Sequence, residues 1–394
     1  MHRKIRNGIF LLFLGFFVVG TPCVVLYTAG YRLNMNTWRV QRTGVIAITT
    51  LPRGAKASIQ NVQVAEKTPY VAQRLTPGEY TVLLEKEGYQ PWNQHVTVNS
   101  GSTTYITALL FAQTAPELLL EETALSVTGD RSGRFIYLLV PSASAHHIWR
   151  YDTVTRLQRK LSDDVGTAIT HIALNNDESV LLLSADDSTT VTAAIPVDGG
   201  ILLDEEAAAK AIAMLPEYAF VNNGSNVELR LFSTNTLITL LPLSTYTPMF
   251  RNTDLALFTD TRNRAYALNL RTQTVTHIDI PTTLLATGTD ETLLAASDGN
   301  EIDIYTPSTG ERTLITRQSE PIIALAWHTS NHALFFATPS SITAIEREKY
   351  TTRNTTTLLE NASITAIWPD ANGKHLTFFG TVDGITGIWR IILG

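Results

Sequence analysis

The hydrophobic residues of this chain are concentrated near its N-terminus and dispersed everywhere else. From Asn7 to Tyr31 the chain carries no charged residue. A bilayer core of about 30 Å needs around 20 apolar residues in a helix, so this stretch predicts a transmembrane helix at 8–29. Beyond it, apolar and polar residues alternate over short runs, as in half-buried strands. The pattern therefore predicts an all-β chain with one N-terminal transmembrane helix.

The residues that flank this helix predict its orientation. Three basic residues precede it: Arg3, Lys4 and Arg6. Basic residues beside a span stay in the cytoplasm, so we expect residues 1–7 to be a cytoplasmic tail and the bulk of the chain to be extracytoplasmic. Tyr27, Tyr31 and Trp38 are expected in an aromatic belt at the outer interface. A tail this short disfavours a transmembrane signalling receptor.

A cleaved signal peptide is the alternative interpretation of the same segment. Signal peptides have an apolar core of about 7–15 residues that ends at a small-x-small site. The apolar run here is longer, and cleavage after Ala29 would place the bulky Tyr27 at the third position back. Lipidation at Cys23 is disfavoured because Pro22 stands where a small residue is needed. A retained anchor is favoured.

A small β domain is predicted from 43 to 112, after a linker at 30–42. Tyr80, Val82 and Leu84 alternate with their neighbours, which is strand period. Turns are predicted at Pro52–Ala55 and Thr76–Gly78, where proline presets φ and glycine supplies a positive φ.

These residues resemble the PEGA domain. Its motifs stand here as Pro52-Arg53-Gly54-Ala55, Thr68-Pro69, Leu75-Thr76-Pro77-Gly78-Glu79-Tyr80 and Lys86-Glu87-Gly88-Tyr89. The matching residues are Pro52, Gly54, Ala55, Thr68, Pro69, Leu75, Pro77, Gly78, Tyr80, Gly88 and Tyr89. Arg53 replaces the glutamate of the family, and Gln60-Asn61 replaces its Asp-Gly tip. The resemblance implies a β-sandwich of extracytoplasmic bacterial proteins, a binding or spacer module in which these residues are structural.

The region 116–394 contains a repeat of strand, polar turn and strand. Clear copies begin at Ile148, Leu229, Tyr266 and Ile302, and consecutive units lie about 36–44 residues apart, the spacing of a four-stranded propeller blade. Seven units fit, which favours a seven-bladed β-propeller similar to the WD-type and TolB-like propellers; six or eight blades stay open because the middle of the region is degenerate. Within it, an alanine-rich stretch at 205–215 predicts a short helix.

Closure of the ring is also predicted from the repeats. The last strand of the chain, Gly387–Leu393, has the apolar pattern of an inner strand of a blade. The last blade therefore lacks its outermost strand. The segment 116–121 resembles the outer strand of the preceding blade. We therefore expect 116–121 to pair with the last blade, which removes the exposed sheet edges.

Composition narrows the function classes. The chain has 394 residues and a formal net charge of −6, with 17% charged and 44% hydrophobic residues, so it is neither disordered nor a nucleic-acid binder. Its single cysteine, Cys23, excludes an intramolecular disulfide and a thiolate zinc cluster.

Candidate chemistry is sparse. His328 and His332 lie four apart but in a predicted turn, and the neighbours His146 and His147 are expected at the surface. Asp298–Asp303 is the best cation candidate, yet Asp-Gly is first of all a hairpin turn. Two tryptophans, Trp327 and Trp368, occupy matching blade positions and are expected to pack in the core. No catalytic, cofactor or metal site is predicted.

The sequence thus predicts a non-enzymatic binding scaffold of the bacterial cell envelope. The expected partners are the lipid bilayer, through 8–29, and an envelope protein or glycan that meets the propeller; no nucleic acid is expected. A propeller-type hydrolase or lyase acting on envelope polysaccharide is the alternative, because fold does not decide function. A cluster of carboxylates with Tyr or His on one face of the propeller would favour it.

Overall fold

The computed structural model divides the chain into two compact units. Its described residues are 3–34, 39–175, 178–185, 192–200, 202–203, 218–231, 233–251, 253–280, 283–288 and 292–394. The first unit comprises Met1–Gln113, Glu348–Asn354 and Gly394, and the second comprises Thr114–Arg347 and Thr355–Leu393. Two sequence predictions, a short helix at 205–215 and an interfacial Trp38, lie outside the described residues.

The N-terminal helix α1 runs from Arg3 to Thr28. Its stretch Asn7–Thr28 is long and apolar enough to cross a membrane, and none of its most apolar window is buried in the protein. Phe10, Phe13 and Phe16 are each about two-thirds exposed or more. A helix whose phenylalanine side chains are exposed in this way is suited to the apolar interior of a membrane. The side chains of Arg3, Lys4 and Arg6 are outside the described set.

A β-hairpin and two small sheets follow α1. The hairpin pairs β1 (Tyr31–Asn34) with β2 (Arg39–Arg42). One sheet has the order β6-β3-β9, the other β5-β4-β7-β8. Their strands are β3 (Gly44–Leu51), β4 (Lys56–Ile59), β5 (Val62–Ala65), β6 (Tyr70–Leu75), β7 (Gly78–Glu85), β8 (Trp92–Val98) and β9 (Thr103–Leu109). Alternate side chains of β3 and β8 are buried, so the sheets enclose a common apolar core that includes Ile46, Val82 and Trp92.

Among the described residues, the second unit forms seven antiparallel sheets, which we number blades 1 to 7 in chain order. Blade 1 has β11 (Ser126–Gly129), β12 (Phe135–Val140), β13 (His147–Asp152) and β14 (Gln158–Ser162); blade 2 has β15 (His171–Leu174), β16 (Val180–Ser184) and β17 (Ala193–Pro196); blade 3 has β18 (Tyr218–Asn222), β19 (Val227–Leu231) and β20 (Thr236–Leu241). Blades 2 and 3 therefore have three strands among the described residues, one fewer than the repeat length predicts.

The remaining blades have four strands. Blade 4 has β21 (Tyr246–Arg251), β22 (Leu255–Asp260), β23 (Ala265–Asn269) and β24 (Thr274–Ile278); blade 5 has β25 (Leu284–Thr287), β26 (Leu294–Ser297), β27 (Glu301–Thr306) and β28 (Glu311–Arg317); blade 6 has β29 (Ala324–Trp327), β30 (Ala333–Ala337), β31 (Ile342–Lys349) and β32 (Arg353–Leu359); blade 7 has β33 (Ser363–Pro369), β34 (His375–Val382), β35 (Ile385–Ile392) and β10 (Glu117–Glu121). Second strands such as β22 and β30 are buried throughout, because both of their faces are covered.

The ring closes as the sequence predicts. Strand β10 pairs antiparallel with β35, with Glu117 opposite Arg390 and Glu121 opposite Gly387, so the first strand of the unit completes its last blade. The innermost strands of blades 7 and 1 are also in contact. The all-β fold class with a single N-terminal helix, a small β domain and a β-propeller is thereby confirmed.

Candidate functional site: the central cavity of the propeller

The innermost strands of the four-stranded blades surround a cavity of about 620 Å³. Each of these five blades contributes at least one residue to its wall: Gly129, Met249, Ala286, Ala326 and Ile367. The loops after β11, β29 and β33 form its rim, with Asp130, Thr329 and Asp370. This volume lies in the range of cavities that hold a small ligand or a few side chains of a partner.

Two tryptophans at matching ends of β29 and β33 belong to the apolar part of the wall. Trp327 is 4% exposed and its Nε1 donates a hydrogen bond to the Ala286 carbonyl of blade 5, at 3.2 Å. Trp368 is half-buried, and its indole lies against Gly129 of blade 1, where a Cβ would stand 2.6 Å from Nε1. Trp327 fits the sequence interpretation as a core residue, whereas Trp368 also presents surface to the cavity.

The carboxylates on the rim are engaged in their own turns. Asp130 Oδ1 accepts the Phe135 amide at 3.0 Å, and Ser132 Oγ donates to Asp130 Oδ2 at 2.6 Å. Asp370 Oδ1 accepts the amides of Lys374 and His375, while His375 Nδ1 lies 3.0 Å from Oδ2. Aspartate hydrogen-bonds to nearby amides in turns of this kind. The Asp-x-x-Gly motifs at 130–133 and 370–373 therefore build the rim.

His328 joins the rims of two blades. Its Nε2 lies 3.2 Å from the Gly373 carbonyl of the next blade, and its Nδ1 accepts the Ser330 amide at 3.1 Å. This arrangement suits a neutral imidazole that carries its proton on Nε2. Burial lowers the pKa of His328 below its ordinary value, against the opposing effect of the Gly373 carbonyl. His328 is a structural residue of the cavity rim.

The other candidates from the sequence have structural environments as well. Asp298 Oδ1 accepts the amides of Asn300 and Glu301 at 2.8 Å each, which lowers the pKa of Asp298. Asp303 is buried against Arg312, at 2.9 Å. Across the part of the chain that the structure describes, no group of three or more His, Cys, Asp or Glu side chains is placed to hold a metal ion.

His146 corrects a sequence expectation. We expected both neighbouring histidines at the surface, but His146 is only 9% exposed. Its Nδ1 lies 2.8 Å from the Ile169 carbonyl oxygen. This polar contact allows the imidazole to be buried immediately before β13. His147 lies at the start of that strand, with Nδ1 beside the Asp163 carbonyl.

The motif residues of the small β domain meet around Thr68. Its Oγ1 accepts the amides of Gly54 and Ala55, at 3.2 and 3.0 Å, and lies beside Thr50 Oγ1. These bonds join the Pro52–Ala55 turn to the Thr68–Pro69 segment. The two sequence motifs are thus in contact in the fold, and their polar groups satisfy one another.

The remaining motif residues form the other turns of this domain. Tyr80 donates its hydroxyl to the Thr76 carbonyl at 2.8 Å, across the turn that contains Pro77 and Gly78. Gly88 has a φ of +80°, a conformation that glycine adopts without strain. Tyr89 lies beneath the Lys86 ammonium, which also donates to the Arg53 carbonyl at 2.9 Å. Leu75 ends β6, half-buried against the apolar core.

Comparison with known proteins gives one domain match and several distant structural similarities. Residues 43–112 match the family model of the PEGA domain. No curated protein matches the chain. The crystal structure of the RRP9 WD40 repeats is similar with a TM-score of 0.45 and 8% identity, and covers 72% of this chain and 99% of that one. A chain of the mitotic checkpoint complex is similar with a TM-score of 0.43 and 9% identity, and covers 72% of this chain and 90% of that one. The structure of U3-55K is similar with a TM-score of 0.44 and 10% identity, and covers 71% of this chain and 100% of that one.

Proposed function

We propose that this protein is a membrane-anchored binding scaffold, which presents the central cavity of its propeller to a protein partner in the bacterial cell envelope. The observation that carries the proposal is the cavity itself, about 620 Å³, with the half-buried Trp368 in its wall and a rim of turns. Tryptophan in a concave, partly apolar site is a common anchor of protein recognition. A loop or chain end of the partner is the ligand that such a cavity fits.

The chemistry of the rim supports binding over hydrolysis. A glycosidase needs two carboxylates free to exchange protons with the substrate. Asp130 and Asp370 instead accept hydrogen bonds from their own turns, through both oxygens in each case. We therefore propose no enzymatic role for this cavity.

The location of the scaffold is proposed from two features. The helix α1 is able to span a membrane, and PEGA domains belong to extracytoplasmic proteins. The orientation of the anchor is part of the proposal, because three basic residues precede the apolar stretch Asn7–Thr28 and three follow it within about 15 residues. They are Arg3, Lys4 and Arg6 before it, and Arg32, Arg39 and Arg42 after it. Protease treatment of intact cells tests the proposed outer location: the propeller should be digested while a cytoplasmic control is preserved.

Site-specific photo-crosslinking in intact cells tests the binding function. A photoreactive residue is placed at Thr287 or Ala371, which line the cavity, and at the exposed Ser340 as a matched control. We expect a discrete protein adduct at the first two positions, and its loss when the cavity is filled by T287W in the Ala371 reporter. Equal adducts at all three positions, or glycan adducts in place of protein, would contradict the proposal.

A further inference from the structure

The charges of this chain are strongly segregated. Residues 1–65 contain eight Lys and Arg and no Asp or Glu, since Glu66 is the first acidic residue. The whole chain has 30 basic and 36 acidic residues, so the remaining residues have 22 basic and 36 acidic ones, a net charge of −14 against +8 for the first 65. Five of these eight basic residues follow the apolar helix, so the segment 30–65 carries a charge of +5, which suits a negatively charged partner on that side of the membrane.

The β1–β2 hairpin holds part of this charge close to the end of α1. Helix α1 ends at Thr28, and the Gly30 carbonyl accepts both the amide and the hydroxyl of Thr43, at 2.8 and 3.0 Å. These bonds close the base of the hairpin. Because only a few residues separate α1 from the base, the hairpin stays beside the end of the helix.

Three arginines with described side chains lie on the hairpin and on the neighbouring strand β6, with Arg32 and Arg42 on opposite faces of the hairpin; we call Arg32, Arg42 and Arg74 the arginine cluster. The Arg32 guanidinium lies 3.8 Å from the centre of the Tyr27 ring, at the last turn of α1. Arg74 precedes Leu75, which pairs with Gly44 of β3, the residue next to the Thr43 that closes the base of the hairpin. Arg42 stands opposite Tyr31 in the hairpin and lies against Gly101.

The cluster is free to take an external anion. Within the described ranges, none of its three arginines forms an ion pair with a carboxylate, whereas arginines of the propeller such as Arg264 and Arg312 do. One face of the hairpin also exposes apolar surface next to the charge: Val40 is 56% exposed and Tyr31 is 37% exposed. Exposed aliphatic and aromatic side chains beside arginines are typical of a membrane interface.

We propose that the arginine cluster binds the phosphate headgroups of anionic phospholipids at the membrane surface where α1 ends. Guanidinium groups bind phosphate through paired hydrogen bonds, and anionic headgroups attract basic residues beside a span. Tyr31 and Val40 enter the interface between the headgroups. The inference rests on the proposed membrane anchor and adds a lipid preference to it, so that the lipid composition around the protein affects how firmly the first unit sits on the bilayer.

Lipid analysis of the full-length protein tests this inference. The protein is reconstituted into vesicles of phosphatidylcholine and phosphatidylglycerol, extracted in mild detergent, and its co-purified lipids are counted by mass spectrometry. We expect phosphatidylglycerol to be enriched over its bulk share by about fivefold, the effect of one arginine at an anionic surface, or more. Enrichment should fall as salt is added, because salt screens charges outside the bilayer.

Two triple variants locate the effect. R32Q/R42Q/R74Q should abolish the enrichment, and R159Q/R262Q/K374Q, which removes the same charge from exposed positions of the propeller, should preserve it. Hydrogen exchange at Tyr31–Asn34 and Arg39–Arg42 should slow with phosphatidylglycerol in the wild-type protein and the control variant only. Enrichment that survives in the first variant, or falls equally in both, overturns the inference while the anchor stands. A wild-type protein that fails to remain with the vesicles after an alkaline wash overturns the proposed anchor, and this inference with it.

Discussion

Blades 3 and 4 are neighbours in the chain and differ in the pairing of their third strands. In blade 4 the third strand β23 is paired on both sides, with β22 and β24. In blade 3 the corresponding strand β20 pairs with β19 alone among the residues described. A strand with a partner on one side leaves half of its backbone groups to solvent or side chains. Among the described residues, β23 is therefore held by strand pairing on both sides and β20 on one side.

The difference extends to the cavity. All of the residues that line it lie in or beside the innermost strands of the four-stranded blades 1, 4, 5, 6 and 7. In the described chain, β15 of blade 2 and β18 of blade 3 contribute none. A binding site needs walls that hold their positions, and blades that are paired on more sides supply them. Among the described residues, the cavity is therefore lined by the blades in which four strands are present.

The largest expected effect comes from the core of the closing blade. Phe378 is fully buried in β34 and stacks on Trp389. F378A should lower the free energy of unfolding by about 3–5 kcal/mol, because it leaves a cavity that the surrounding strands cannot fill. Denaturant titration measures the loss. F220A in the thinner blade 3, where the phenylalanine is only half-buried, should cost half as much or less. Equal losses in the free energy of unfolding of F378A and F220A would contradict the expected difference between blades 7 and 3.

Ring closure is tested at Gly387, opposite Glu121 in the closing strand pair. A Cβ at this position would stand 2.0 Å from the Leu120 carbonyl oxygen, so G387A should separate β10 from β35 and cost about 2–3 kcal/mol. G224A in blade 3 is the control: no atom lies within 4 Å of its Cβ, and its positive φ limits the cost to about 1 kcal/mol. Calorimetry of both variants ranks the two effects, and a milder G387A would argue against a closed ring.

Hydrogen exchange compares the blades without mutation. Amides of β20 (Thr236–Leu241) should exchange on the order of tenfold faster than those of β23 (Ala265–Asn269), because β20 has one strand partner and β23 has two. Mass spectrometry of peptides that cover the two strands measures the ratio. Equal protection would show that another element covers the free edge of β20.

The smallest expected effect is a pH dependence from His328. Because its pKa is lowered in the folded protein, the unfolded chain takes up a proton that the folded one does not. Stability should therefore fall as the pH decreases below about 6.5, by at most about 1.4 kcal/mol per pH unit, and level off below the folded pKa. The decrease of stability with falling pH should become smaller in H328Q. It should be unchanged in H171Q, which replaces an exposed histidine of blade 2. A slope unchanged in H328Q would assign the dependence to another group.

Much of the fold was predictable from local patterns. The uncharged stretch after Asn7 predicted α1, and the repeats with their polar turns predicted the blades and the closing strand, because each pattern reflects burial on one face or both. In blades 2 and 3 the described residues contain three strands, where the repeat length predicted four. His146 was misplaced because sequence does not show the Ile169 carbonyl that accepts its hydrogen bond.

The sequence by itself determined the elements of this protein: an apolar helix, a turn-rich β domain, a repeating β region and an acidic excess that begins only at Glu66. Tertiary structure alone decided which of them meet. It placed Trp368 against Gly129 across the junction of blades 7 and 1, and Arg32 over Tyr27 at the end of α1. The physical reason is that hydrophobic period and turn chemistry act over a few residues, whereas a site is made by contacts between positions far apart in the chain.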